Sequence, residues 1–169
     1  MTHLKERWAL EPINLLCGSD GSLKEGIGSS GYCIVVPNRE IPLVTGYAAE
    51  YHIRHNSSST RQELLGQLVI IYWLHRLITA MGTPGWDLAV QLVTDSKASI
   101  DIMEQCDSLI GLKDGLRPEM DVALEIFLKL TDLAIKLEVI KVKSHIAVDE
   151  APDENHWLVT TWQTNWPLI

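Results

Sequence analysis

The feature that most constrains the fold is how short turns and long connections alternate along the chain. Residues 13–17 (Ile-Asn-Leu-Leu-Cys) are a short apolar run that ends in the turn formers Gly18-Ser19-Asp20-Gly21-Ser22. This predicts a buried strand and a tight turn, with Asp20 at the strand's C-terminal end. The glycine-rich segment 26–31 leads into Tyr32-Cys33-Ile34-Val35-Val36, and Pro37-Asn38 turns that strand into a third over residues 41–54. Connections this short imply an antiparallel meander.

The second half reads differently. Ser58, Ser59 and Thr60 offer helix N-caps, with Glu63 expected in the first turn, where the helix dipole favours a carboxylate. Residues 64–81 are the most apolar stretch, but Gly66, Gln67, His75, Arg76 and Thr79 interrupt it, so it reads as a helix buried nearly all round rather than a bilayer span. Gly82 and Gly85 stop it. A fourth strand over 88–93 ends in Thr94-Asp95-Ser96, and residues 98–106 look helical. After a loop over 107–117, Pro118 opens a helix in which Val122, Ile126, Leu130 and Leu133 recur near the helical period, and 139–143 form a fifth strand. Strands four and five, reached through helices, should return parallel to the first by right-handed crossovers. The expected architecture is α/β: a mixed five-stranded sheet, three strands antiparallel and then two parallel, flanked by helices. Residues 1–12 are expected to be an N-terminal extension, and 13–169 one domain.

Composition agrees with a single globular domain. At 169 residues, 46% hydrophobic and 21% charged, the chain can bury one core and is not disordered. Cys17, Cys33 and Cys106 are odd in number and form no CxxC pair, which disfavours a disulfide framework or a zinc site. The start, MTHLKERWAL, is polar and mixed, so a secretory signal is not expected and the protein is read as intracellular, in cytoplasm or nucleus, without a membrane partner.

In such a sheet the C-terminal ends of parallel strands share one edge, where ligands bind. Asp20 and Asp95 are expected at that edge, with Glu63 reaching it from its helix. Three converging carboxylates repel one another unless protonated or neutralised by cations. An all-oxygen set suits Mg²⁺ or Mn²⁺.

The sequence resembles the ribonuclease H family, and more narrowly the ribonuclease H domains of retrotransposon reverse transcriptases. The likeness is carried by SDGS at 19–22 followed by GSSGYCIVV, SSSTRQELLG at 57–66, LVTDSKASID at 92–101, RPEMD at 117–121 and VKSH at 142–145. Each motif is short; their order and their placement on the expected strands and helices make the set specific. The resemblance implies endonucleolytic hydrolysis of the RNA strand of an RNA–DNA hybrid with two Mg²⁺ ions, for which Mn²⁺ can substitute. It implies that Asp20 bridges both metals, that Glu63 and Asp95 complete the leaving-group side, and that His145 assists proton movement or product release. It also places Ser58, Ser59 and Thr60 against the hybrid's minor groove, beside Ser22 of the first motif.

The family takes a fourth carboxylate from an Asn-x-x-Ala-Asp-like motif. Here Asn155-His156-Trp157-Leu158-Val159 has Val159 at that position, and no carboxylate follows Glu154. Asp149 and Asp153 are the remaining candidates, Asp153 being nearer the expected last helix. That gap, with the acidic surface, motivates the alternative of a weakened or inactive binding or scaffold domain of the same fold.

Fourteen Lys and Arg against 22 Asp and Glu give −8. The positive charge is densest at His52, Arg54, His55 and Arg61, beside Glu63, and Lys97 is a further phosphate candidate. With Asp20, Glu63 and Asp95 masked by metal, the balance implies weak, salt-sensitive hybrid binding, with targeting left to a reverse transcriptase or another domain of a larger polyprotein.

Overall fold

The computed structural model describes residues 13–39, 41–51, 58–82, 88–106 and 119–143. Five strands and three helices follow in the order β1 (Ile13–Lys24), β2 (Ile27–Val35), β3 (Val44–Tyr51), α1 (Ser59–Met81), β4 (Leu88–Thr94), α2 (Lys97–Cys106), α3 (Met120–Leu133) and β5 (Lys136–Lys141). The sheet order is β3-β2-β1-β4-β5. The first three strands are antiparallel, and β1, β4 and β5 are parallel, as the connection lengths require.

Several boundaries differ from the sequence expectation. The first strand does not turn at residues 18–22. It runs on to Lys24, with Asp20 opposite Gly31 and Ser22 opposite Ser29. The reversal is at Glu25 and Gly26, both at positive φ (52° and 80°), as a two-residue hairpin matched to strand twist requires. Small residues on both strands let Gly- and Ser-rich segments pair where they read as loop. The third strand begins at Val44 rather than 41, after Pro42, which lacks an N–H for a ladder. The last begins at Lys136 rather than 139, because Ala134, at φ 49°, ends α3 and only Ile135 intervenes.

Helix α1 is buried along its first half and one-sided along its second, where Tyr72 and Trp73 are exposed. It is long and apolar enough to cross a membrane by length and composition. Here its buried face instead meets the sheet: Leu64, Ile70, Ile71 and Leu74 join Leu15, Cys17, Ile34, Val90 and Leu92 in one core with Val122, Ala123 and Ile126 of α3. Each such aliphatic side chain contributes roughly 1.5–3 kcal/mol on burial. Leu16, Cys33, Val35, Val93 and Val142 form a second buried cluster. Cys17 and Cys33 are free thiols, and burial pushes both up, Cys33 to about 12.

The expected N-terminal extension 1–12, the cluster His52, Arg54 and His55, the loop 107–117, Pro118, His145, Asp149 and Asp153, and the C-terminal segment lie outside the described residues.

Candidate metal centre

The site arises from a step in the sheet. Strand β4 follows β1 in parallel as far as Gly18 opposite Val93, whereas β1 continues to Lys24, paired among the described residues with β2 alone. Asp20 lies on the stretch of β1 beyond that step. Asp95 follows the last residue of β4, Thr94.

Glu63 is brought in by α1. Ser58 caps the helix, its Oγ accepting from the Arg61 N–H at 3.0 Å. Glu63 is therefore the fifth helical residue, one beyond the expected first turn. Its approach depends on Gly21. A Cβ built there would lie 2.2 Å from the backbone nitrogen of Glu63 and 2.5 Å from the carbonyl carbon of Gln62. The helix backbone thus rests directly on the strand, and the Gly21 N–H donates to Glu63 Oε1 at 2.9 Å. Gly66 repeats the arrangement one turn on, where a Cβ would meet Gly31 O and Ser19 Cβ at 3.0 Å.

The result is a cluster in which one oxygen each of Asp20, Glu63 and Asp95 lies within 4.8 Å of the others. Asp20 and Asp95 are half-buried and Glu63 is buried. Unit charges at that distance repel by roughly 3 kcal/mol per pair at an effective dielectric constant near 20. Glu63 answers by holding its proton: burial, and then the charges of Asp20 and Asp95, push its carboxyl to about 9, against the pull of the Gly21 N–H. Among the described residues no donor reaches its buried Oε2, and a side-chain hydrogen bond with Asp20 also raises the Glu63 carboxyl. A cation would supply the positive charge this cluster lacks, and the all-oxygen donor set is compatible with a divalent ion such as Mg²⁺ or Mn²⁺.

A stability prediction follows. The free form of Glu63 loses its proton near 4.5 and the folded form near 9, so without metal the folded state falls in stability as pH rises through that window. The slope is at most about 1.4 kcal/mol per pH unit. In EDTA, Glu63→Gln should match the parent at pH 4 and melt above it at pH 8. Equal pH dependence in the two proteins would show that Glu63 is not held protonated.

The expected substrate residues divide into two groups. Ser22, Ser59 and Lys97 are exposed and Thr60 is half-buried; Ser22 Oγ and Ser29 Oγ lie 2.7 Å apart across the hairpin. Ser58 and Arg61 are engaged inside the protein. Ser58 Oγ donates to Glu119 Oε1 at 2.5 Å, and the Arg61 guanidinium donates through both nitrogens to Asp121 at 2.7 and 2.8 Å. Glu119 and Asp121 belong to the RPEMD motif, whose contact with α1 the sequence did not disclose. Glu119, at φ 73°, is the N-cap of α3, and Asp121 lies in the first turn. Arg61 holds the Asp121 carboxyl below its ordinary value. Asp121 is 65% exposed, so the pair belongs to a class that contributes little: Asp121→Asn should cost less than about 1 kcal/mol in thermal unfolding.

The turn carrying Asp95 is pinned on both sides. The Ser96 N–H donates to Thr94 Oγ1 at 3.2 Å, and the Ser99 N–H to Ser96 Oγ at 3.3 Å. Ser99 Oγ donates to Ser96 O at 3.0 Å and accepts from Gln67 Nε2 of α1 at 3.1 Å. Gln67 and Ser99 were not singled out in the sequence; the usable signal was Gln67 lying four residues after Glu63, on the same face of an otherwise apolar helix.

No family model matches the chain by sequence, and no curated protein does. By structure, it is similar to RNase H1 from the halophilic archaeon Halobacterium salinarum, with a TM-score of 0.52 at 12% identity, covering 77% of this chain and 86% of that one. It is similar to LC11-RNase H1 in complex with RNA/DNA hybrid, with a TM-score of 0.53 at 14% identity, covering 84% and 92%. It is also similar to the protease-reverse transcriptase of prototype foamy virus, with a TM-score of 0.61 at 13% identity, covering 92% of this chain and 21% of that longer one. The strand order, the crossovers and these likenesses agree: the chain is a ribonuclease H-like domain by fold.

Proposed function

We propose that this domain is a metal-dependent endonuclease that hydrolyses the RNA strand of RNA–DNA hybrids. The observation that carries the proposal is the convergence of Asp20, Glu63 and Asp95 where β1 runs past β4, with a buried Glu63 oxygen that no donor among the described residues reaches. The fold it shares with RNase H1 structures, one of them bound to an RNA/DNA hybrid, supports the choice of substrate.

In this reading Asp20, Glu63 and Asp95 hold the cations, and Asp153 is the fourth ligand. Divalent ions bound there supply positive charge to activate a water and to stabilise the leaving oxygen. Ser22, Ser59, Thr60 and Lys97 contact sugar and phosphate, and Ser58 and Arg61 serve the same surface by keeping the end of α1 in place. His145 moves a proton or releases product. The likeness to a protease-reverse transcriptase supports a place within a larger polyprotein, which we read as of retroelement type and acting inside the cell.

The test is incubation of the protein with end-labelled RNA–DNA hybrid, duplex RNA and duplex DNA in Mg²⁺ and in Mn²⁺. Cleavage confined to the RNA of the hybrid and abolished by EDTA is the expected result. An intact hybrid in both metals would overturn the proposal.

A further inference from the structure

Gln67 is a costly residue where it stands. Its side chain is 1% exposed on a helix face shared with Leu64, Ile70, Ile71 and Leu74, and its buried Oε1 has no hydrogen-bond partner among the described residues. An unsatisfied buried carbonyl costs on the order of 1–3 kcal/mol, and an apolar side chain of the same length would avoid that cost. What Gln67 provides instead is a tether. Its Nε2 holds Ser99 Oγ, itself fully buried, and Ser99 holds Ser96 through two hydrogen bonds. Ser96 N–H in turn closes on Thr94 Oγ1, so Asp95 lies between two fixed residues. Gln67 is one helical turn beyond Glu63, and so a single helix sets both the Glu63 carboxylate and the turn that presents Asp95.

We infer that Gln67 is a positioning residue: through Ser99 it fixes the Asp95 turn relative to Glu63 and thereby sets the affinity of the three-carboxylate cluster for a divalent cation. This rests on the metal-binding reading above.

The measurement is Mn²⁺ affinity, from the electron paramagnetic resonance of free Mn²⁺, together with thermal unfolding in EDTA. The proteins are the parent, Gln67→Met, Ser99→Ala and the double variant. Gln67→Met should unfold at or above the parent temperature, since it removes an unsatisfied carbonyl, yet bind Mn²⁺ about tenfold more weakly. Ser99→Ala should weaken binding to a similar degree, and the double variant no further, because both changes cut one tether. A purely structural role predicts the opposite pairing, lower stability with unchanged affinity. Unchanged affinity in folded Gln67→Met, or losses that add in the double variant, would overturn the inference; should Gln67→Met not fold, an unchanged affinity in Ser99→Ala does so. A parent that binds no Mn²⁺ fails the metal-binding reading itself, and the inference falls with it.

Discussion

Asp20→Asn should leave a folded protein that has lost hybrid cleavage by on the order of 10³-fold, about 4 kcal/mol of transition-state stabilisation. The same change should raise thermal stability in EDTA at pH 8. Both effects have one origin. Asp20 shares its cluster with Glu63 and Asp95, and its charge is among the causes that raise the Glu63 carboxyl. Removing that charge relieves the apo protein and deprives cations of a ligand. Cleavage rates with and without the substitution, paired with melting curves in EDTA and in Mn²⁺, check it. Mn²⁺ should raise the melting temperature of the parent much more than that of the variant. A variant that loses activity but is destabilised without metal would indicate a folding role for Asp20 rather than an electrostatic one.

Gly21→Ala should be nearly as damaging to activity, through geometry alone. The atoms its Cβ would meet at 2.2, 2.5 and 2.8 Å all belong to the backbone of Gln62 and Glu63, so no side chain can swing away. Relief needs the strand or the helix to move by on the order of 1 Å, a displacement that can cost about 10²-fold in rate at a catalytic group. Overpacking of this kind also costs about 1–3 kcal/mol. The signature is a moderate fall in melting temperature with a weaker Mn²⁺ affinity, whereas a change acting only on stability would leave the affinity of the folded protein intact. If Gly21→Ala cleaves the hybrid at the parent rate, the seating of α1 on β1 does not control the site.

The element order was legible because it depends on connection length, and connection length is read directly from turn formers and periodic runs. The meeting of Asp20, Glu63 and Asp95 was legible too, since Glu63 and Asp95 lie near a helix start and a strand end whose places follow from topology, and Asp20, though inside β1, lies just past the last residue paired with β4. What escaped depended on partners distant in sequence. Residues 18–22 read as a turn because Gly and Ser favour turns, but pairing with an equally small-residue strand overrode that preference. Gln67 read as an interruption in an apolar helix because its partner, Ser99, is on another helix. The pairing of the Arg61 guanidinium with Asp121 went unread because that partner lies 60 residues on. The expected fourth metal ligand, Asp149 or Asp153, and the expected loop histidine His145 lie outside the described residues.

The step in the sheet also orders events in time. Strands β1 and β2 are joined by a two-residue turn and can close within microseconds, whereas β1 and β4 pair residues as far apart as Ile13 and Leu88. Bringing these together needs closure of the whole intervening loop, which slows folding. Asp20 is thus in place on the early hairpin, while Asp95 arrives only with the late parallel pairing. A cation needing both finds no complete binding site until the slow step is over. A cation bound there would therefore act as a latch on the finished domain, lengthening its lifetime against unfolding while leaving the rate of assembly unchanged.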